Sequence, residues 1–200
     1  SIQELMNENE QQLLKRLKND DEAAFKVLFN DFYSKLYYFV LEFIPLKDTA
    51  ENIVQDTLVT LWNKRNELKD DSNLTSYLFT VAKNNSLKKL RDKKYSQKLF
   101  SNTMDVGELD LNVETLSTVD TSACAFMDIE QIIKETLASL PPQCRKVFEL
   151  SRFQEMKNRE IAEELNISIK TVERHISKGI KTFKVALKDY LPIVAYLFVL

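Results

Sequence analysis

Residues 158–178 carry the sequence NREIAEELNISIKTVERHISK, and this stretch decides the fold of the second half of the chain. Ile161 and Leu165 recur at helical spacing on one face of a first helix. Asn166 marks a turn, because asparagine adopts the left-handed backbone conformation more readily than most residues. Ser168 is a good N-cap for a second helix. The pattern predicts two helices joined by a three-residue break.

The second of these helices buries Val172 and Ile176, and Ala162 is small where two helices must cross closely. This is a helix-turn-helix pattern, in which the second helix enters the DNA major groove with its N-terminal residues on base edges. An ordinary helical hairpin with a solvated basic face is the alternative. Arg, Lys, Ser and Thr suit base edges and phosphates. The predicted DNA-contacting positions are Lys170, Thr171, Glu173, Arg174, Ser177, Lys178 and Lys181.

The composition is that of a helical protein. Only two of the 200 residues are Gly and four are Pro, whereas 44% are hydrophobic. Strands in quantity would need more turn residues. Cys124 and Cys144 lack metal-ligand spacing, which favours two reduced thiols in a cytosolic protein. The first fifteen residues are polar and acidic and do not have the pattern of a secretory signal.

The net charge of −2 hides a strong segregation of charge along the chain. Residues 83–98 hold seven basic and one acidic side chain, and residues 141–188 hold eleven and six. Residues 99–140, between them, hold one basic and eight acidic side chains. Salt screens charges beyond ~8–10 Å, so a polyanion responds to local patches rather than to the overall charge. The two basic segments therefore predict two separate nucleic-acid contacts.

The first half of the chain reads as successive amphipathic helices. Residues 10–44 form one or two helices, with a break at Asp20 and Asp21. Residues 48–65 have the clearest periodicity, with an apolar stripe that runs from Ala50 to Trp62. The opposite face is acidic and rich in amides, and a solvated surface is its ordinary interpretation. That face carries Asp48, Glu51, Asn52, Gln55 and Asp56.

Residues 66–73 are polar and predict a loop, with Ser72 or Asn73 as the cap of the next helix. That helix buries Leu74 and Leu78 and then becomes basic. Basic residues mixed with amides near an aromatic residue suit a surface that tracks phosphates or melts strands. The alternative is a lysine-rich helix end that only aids solubility. The basic part contains Lys83, Asn84, Asn85, Lys88, Lys89, Arg91, Lys93 and Lys94.

Residues 96–122 lose periodicity and are rich in Ser, Thr, Asp and Glu, which predicts a flexible acidic linker with room for short helical turns. A helix restarts near Phe126, and the Pro141–Pro142 pair ends it and opens the next. We therefore expect four segments. They are a first domain over 1–95, the linker over 96–125, a second domain over 126–190 and an apolar tail over 191–200.

Three stretches, in this order, resemble the two-domain sigma factors of the extracytoplasmic-function (ECF) group of the sigma-70 family. Residues 48–62, DTAENIVQDTLVTLW, look like the helix that binds core RNA polymerase. Residues 74–91, LTSYLFTVAKNNSLKKLR, look like the promoter-melting helix. Residues 140–148, LPPQCRKVF, together with the helix-turn-helix, look like the domain for the −35 element. The resemblance spans about residues 20–95 and 126–187.

The resemblance implies an all-α transcription initiation factor that is cytoplasmic, is not an enzyme and needs no cofactor. Its implied partners are core RNA polymerase, double-stranded and melted promoter DNA, and an anti-sigma factor, without stable membrane insertion. The acidic face, Asp48, Glu51, Asn52, Gln55 and Asp56, becomes the implied polymerase contact. The loop over 66–73 corresponds to the one that captures a flipped base of the −10 element. The implied −10 contacts are Asn66, Asn73, Tyr77, Lys83, Asn84, Lys88, Lys89 and Arg91.

Two departures from the family pattern stand out. Glu155 and Lys157 occupy places where the family often has Gly and Ser or Thr, so Asn158 is expected to cap the helix. Glu173 lies where many relatives are basic, although a glutamate can accept a hydrogen bond from cytosine N4.

A response-regulator-type activator is the alternative, since its DNA-binding domain shares the pattern of residues 160–175. That class would place an α/β receiver first, and strand alternation is missing before residue 120. An enzyme lacks support, because the chain shows neither a phosphate-binding loop nor a nucleophile paired with a base.

The tail over 191–200 has ten residues without a charged side chain. It is too short to span a bilayer, which takes ~20 helical residues. Packing within the protein, docking on a protein partner and peripheral membrane contact are the three interpretations. We expect intramolecular packing, since each large apolar side chain gains ~1.5–3 kcal/mol from burial.

Overall fold

The fold is given by a computed structural model, which describes residues 9–92, 95, 97 and 106–199. The remaining positions, including Lys93, Lys94, Leu200 and much of the first part of the predicted linker, lie outside the described residues. Every regular element in the described ranges is a helix, so the all-α prediction is confirmed. The chain divides into two units, Ser1–Phe126 and Met127–Leu200.

The first unit is a bundle in which the helices before residue 92 begin and end close to the predicted limits. The break at Asp20 and Asp21 is confirmed: Asp20 has a φ of 58°, and the Asp21 carboxylate accepts the N–H groups of Ala23 and Ala24 at 2.9 and 3.2 Å. The helices are α1 (Asn9–Lys18), α2 (Glu22–Leu41), α3 (Lys47–Lys64), α4 (Leu74–Leu90) and α5 (Val106–Thr118), with a 3-10 turn at Arg65–Glu67.

The apolar stripe of α3 is buried from Ala50 to Leu61, as predicted, but α4 is buried more widely than its sequence suggested. Phe79 lies outside the predicted stripe and is only 1% exposed. Its ring centroid lies 5.1 Å from that of Phe39 and 5.2 Å from that of Phe126. Because α4 packs on two faces, its sequence has a weak amphipathic pattern.

The flexible linker is corrected over its described part, which forms α5 and packs on the first unit. Leu116 is fully buried and Leu109 nearly so. The Asn112 side chain donates a hydrogen bond to the Phe43 carbonyl at 3.2 Å. The two leucines are seven residues apart, so they fall on one helical face. Because acidic residues surround the two leucines, the sequence lacks a clear amphipathic pattern here.

The second unit contains the helix-turn-helix. Pro142 occupies the first turn of its helix, where the missing N–H has no partner to lose. The core joins three helices through Val147, Leu150, Ile161, Ala162, Val172 and Ile176. The helices are α6 (Ala123–Ser139), which starts in the first unit, α7 (Pro142–Arg152), α8 (Asn158–Leu165), α9 (Ile169–Ala186), α10 (Leu191–Val194) and α11 (Tyr196–Val199), with a 3-10 turn at Lys188–Tyr190.

Gly179 has a packing role that the sequence pattern does not reveal. It faces the buried ring of Phe148, which stacks on Phe183 with centroids 4.7 Å apart. A Cβ at position 179 would lie 2.3 Å from Phe148 Cδ2, well inside contact distance. The glycine therefore allows the aromatic pair to pack directly against α9.

The apolar tail is packed within the protein, as expected. Ile193, Val194, Ala195 and Leu197 are all buried. Burial also raises the pKa of Tyr196 to about 12. Within the described ranges, every helix is too short or too polar to cross a membrane.

Candidate nucleic-acid interface

The predicted turn between the two helices of the motif is confirmed. Helix α8 ends at Leu165, and Asn166 has the left-handed φ of 51° and ψ of 50°. The Ile167 N–H then bonds to the Ala162 carbonyl at 3.0 Å. Ser168 Oγ accepts the Thr171 N–H at 3.1 Å, which satisfies one of the free donors at the start of α9. These local hydrogen bonds fix the orientation of α9 relative to α8.

The start of α8 differs from the expectation. Lys157, rather than Asn158, is the N-cap residue, and the Glu160 carboxylate accepts its backbone N–H at 2.8 Å. Glu155 has a φ of 53°, a conformation that costs most side chains free energy. The left-handed backbone is therefore formed here without a glycine.

The outward side of α9 is a continuous polar face opposite its buried residues. At 100° per residue, the six exposed positions fall within an arc of about 140°. Thr171 is half-buried instead, and its hydroxyl lies 2.8 Å from Ser168 Oγ, so it belongs to the cap. The exposed predicted residues are Lys170, Glu173, Arg174, Ser177, Lys178 and Lys181.

His175 contributes no charge to this face near neutral pH. Its ring is half-buried, and burial, followed by the charges of Arg174 and Lys178, lowers the pKa of the imidazole from its ordinary value. The positive charge of the face therefore comes from the lysines and the arginine. Glu173 lies among them and reduces their net charge by one.

The second predicted DNA contact, on α4, is split by the structure into two faces. The exposed side contains Asn84, Lys88 and Arg91, with half-buried Tyr77 in line with them. Asn66 is exposed in the 3-10 turn. Asn73 is the N-cap of α4, as predicted, and its Oδ1 accepts the Ser76 N–H at 2.6 Å. Its amide oxygen is therefore already engaged.

Lys83 and Lys89 are engaged within the first unit. Lys83 Nζ donates hydrogen bonds to the carbonyl oxygens of Ser117 and Val119 at 3.0 and 2.6 Å. Lys89 Nζ lies 5.4 Å from the centroid of the buried Tyr95 ring. Both interactions join residues that are distant in sequence or beyond the helix end, so the charge pattern alone did not predict them.

The acidic face of α3 lies at the surface. All of its predicted residues, from Asp48 to Asp56, are exposed. Val59 continues the same face one turn on and is 51% exposed. It lines an apolar groove with Trp62 and Phe29. Val59 was not predicted from the sequence, because the neighbouring positions on this face are all polar.

A row of aromatic rings lies beside this acidic face. Tyr33 stacks on Phe29 with centroids 4.8 Å apart and lies parallel to Tyr37 at 6.2 Å. Burial, followed by the charge of Glu51, raises the pKa of both tyrosines. Phe29, Tyr33 and Tyr37 recur every four residues along α2, and this helical spacing is the sequence signal for the row. The acidic face, Val59 and the ring row form one mixed surface of the first unit.

The fold and the exposed basic face of α9 define an all-helical, DNA-binding protein of the helix-turn-helix type. Family models for sigma-70 region 2 and sigma-70 region 4 match residues 28–95 and 130–183, together more than half of the chain. The chain belongs to the sigma-70 family, in its ECF group, and is a promoter-directing sigma factor of RNA polymerase. Such factors are transcription initiation factors. A response-regulator-type activator would have a receiver domain in the first half of the chain, where residues 28–95 instead match sigma-70 region 2.

Similar proteins align over most of the chain. The ECF sigma factor SigW of Bacillus subtilis is 22% identical over 88% of this chain and 95% of its own. The ECF sigma factor RpoE of Cereibacter sphaeroides is 28% identical over 78% and 82%. A solved structure of CnrH in complex with the cytosolic domain of CnrY is 21% identical, covers 90% of this chain and 97% of that one, and has a TM-score of 0.37.

Proposed function

We propose that the two units divide promoter recognition between them. The first domain, predicted over 1–95, binds core polymerase and the −10 element, and the second, over 126–190, binds the −35 element. The observation that carries the proposal is the polar face of α9, which stands opposite a fully packed core. Major-groove recognition requires this arrangement, since one side of the helix must be fixed while the other meets base edges.

At the −35 element, Arg174 and Lys178 are the central contacts. They are exposed, one helical turn apart and opposite the buried Val172 and Ile176. Arg and Lys bond guanine O6 and N7 in the major groove. Lys170, Ser177 and Lys181 extend the same face toward phosphates. Thr171 acts through the cap that positions α9 rather than by direct contact.

At the −10 element, the exposed line of α4 faces the melted strand. Tyr77 offers a ring for base stacking, and Asn84, Lys88 and Arg91 follow it along the helix. Asn66 and Asn73 lie at the ends of the loop that would hold a flipped base. Extruding a base costs a few kcal/mol. Melting therefore requires core polymerase in addition to this chain.

Core polymerase docks on the mixed surface of the first unit. Glu51, Gln55 and Asp56 supply charged and amide contacts, with Asp48 and Asn52 beside them. Val59 adds an exposed apolar side chain at the end of that face. Buried apolar anchors with a polar rim are typical of tight protein interfaces.

Family membership supports three further parts of the proposal. The chain acts in the cytoplasm, where core polymerase and promoters are found. It is regulated by an anti-sigma factor. It is not an enzyme and needs no cofactor.

Co-purification with core polymerase, followed by run-off transcription on genomic fragments, tests this division. Val59→Asp should abolish co-purification and leave binding of isolated promoter DNA by the second unit unchanged. Arg174→Ala should weaken promoter binding and leave co-purification with core polymerase unchanged. A Val59→Asp variant that co-purifies normally would move the polymerase site away from α3. Transcripts that start at the same promoters with and without α9 substitutions would remove the −35 role.

A further inference from the structure

Residues 106–121, here called the strap, cover one face of α4. Two buried leucines, Leu109 and Leu116, anchor the strap on the first unit. Immediately after it, the ring of Phe126 packs on Phe79 of α4. The strap is therefore held by apolar contacts along its length, although its sequence is acidic.

Polar contacts fasten the end of the strap to three residues of α4. Ser76 Oγ donates to the Thr121 carbonyl at 2.7 Å, and Thr80 Oγ1 lies 2.8 Å from Thr121 Oγ1. Lys83 Nζ binds the carbonyls of Ser117 and Val119. Ser76, Thr80 and Lys83 recur at spacings of four and three, so they form one face of α4.

The bond from Lys83 is electrostatically favourable because α5 ends there. The last carbonyls of a helix lack intrahelical partners and carry the negative end of the helix dipole, which a cation stabilises. A DNA phosphate would compete for the same ammonium group. Residues 76, 80 and 83 lie about 80° around α4 from the exposed line of Asn84, Lys88 and Arg91. The strap thus occupies the face next to the proposed −10 surface.

We propose that the strap is an autoinhibitory cover, which must leave α4 before the first unit can engage the melted strand fully. This inference rests on the proposed −10 role of α4. With the strap closed, the Lys83 ammonium group is hydrogen-bonded to main-chain carbonyls and only part of the basic helix faces DNA. With the strap open, Lys83 joins Lys88 and Arg91 and the helix gains one phosphate contact.

A disulfide across the strap tests the proposal in the full-length protein. Thr80→Cys and Thr121→Cys replace two side chains whose oxygens are already in contact, which suits the short reach of a disulfide. Cys124 is exposed and is changed to Ser to prevent mispairing, whereas Cys144 is buried and stays. The oxidised protein is locked closed, and dithiothreitol releases it. The Thr80→Cys single variant in the same background is the control for oxidation.

Two measurements distinguish failure of the strap proposal from failure of the proposed function. The first is binding of a labelled single-stranded DNA of about 16 nucleotides, a site size typical of single-strand binding. The locked form should lose one phosphate contact, so the slope of log K against log salt becomes shallower by about 0.7. The second is run-off transcription, which should be lost on oxidation and return on reduction, while core polymerase binding stays the same.

Equal salt slopes and equal transcription in both redox states would overturn the proposal and make the strap a fixed part of the first unit. If even the unmodified protein gives no transcripts, the proposed function fails. The difference in salt slope between the oxidised and reduced forms still tests the strap proposal. Leu116→Asp provides a second variant that does not depend on a disulfide. It should open the strap before DNA binds, so the variant keeps the salt slope of the reduced protein and binds the single-stranded DNA more tightly. Leu111→Asp adds the same charge at a position that is 60% exposed and should leave the affinity unchanged.

Discussion

At the scale of single residues, Glu155 shows how a strained backbone supports the motif. Its φ of 53° lies in the left-handed region, where an L side chain costs about 1–2 kcal/mol. Met156 then bonds back to the Leu150 carbonyl at 3.1 Å, which holds the loop before α8 closed. The loop keeps its shape because packing and hydrogen bonds around it outweigh the strain.

Glu155→Gly should therefore stabilise the protein. Relief of strain exceeds the added backbone entropy of glycine, which is about 0.5–1 kcal/mol. A gain of about 0.5 kcal/mol corresponds to a rise in melting temperature of a few degrees, measured by circular dichroism. Asn166→Gly is the matched control, since asparagine tolerates this conformation and the change should have little effect. A lower melting temperature for Glu155→Gly would mean that the glutamate side chain itself stabilises the loop.

Arg174 and Lys178 carry the prediction for DNA. Replacement of either by Ala should weaken binding to promoter DNA by ~1–3 kcal/mol if the side chain bonds a base edge. Fluorescence anisotropy with a promoter duplex measures the loss, and Lys146→Ala on α7 is the charge-matched control. Unchanged affinity in both variants would show that this face does not contact DNA.

At the scale of helices, the position of α9 depends on the close contact between Gly179 and Phe148. Alanine normally stabilises a helix by ~1 kcal/mol relative to glycine. Here the added methyl group would overlap a ring that is stacked on Phe183 and cannot move freely. Overpacking of this kind costs about 1–3 kcal/mol.

Gly179→Ala should therefore lower the melting temperature, against the helix propensity of the residue. Ser177→Ala, on the exposed side of the same helix, should raise it slightly because only propensity acts there. Circular dichroism measures both. If Gly179→Ala is more stable than the parent protein, the Phe148 ring has room to shift and the contact does not determine how α9 packs.

The contrast between α9 and α5 shows what the sequence could predict. The turn at Asn166 and the cap at Ser168 depend on residues within a few positions, so local propensities were sufficient. Leu109 and Leu116 needed a partner from α4, and only the fold brings that partner close. The same limit applies to Lys83, whose charge predicted DNA contact but whose ammonium group is bound to carbonyls more than thirty positions away. The roles of the exposed residues stay predictions.

At the scale of the whole molecule, segregation of charge has a structural counterpart. The acidic segment over 99–140 includes the strap, which lies on the basic helix of the first unit. The basic segment over 141–188 includes the exposed face of α9. A chain with a net charge of −2 can therefore bind DNA through local surfaces, and salt should weaken that binding.

The apolar tail adds a prediction about the stability of the chain. Leu197 is 1% exposed, whereas Leu191, six residues earlier, is 36% exposed. Leu197→Ala should lower the free energy of unfolding by about 2–5 kcal/mol, the range for a buried leucine, because a cavity remains. Leu191→Ala should change it by much less, since water already reaches that side chain.

Deletion of residues 191–200 should lower the melting temperature at least as much as Leu197→Ala. The truncated chain loses Ile193 and Val194 together with Leu197, and each buried side chain of this size contributes ~1.5–3 kcal/mol. Circular dichroism gives the melting temperature, and co-purification with core polymerase runs in parallel. A truncated chain with unchanged melting but weakened co-purification would show instead that the tail is a docking segment for the polymerase.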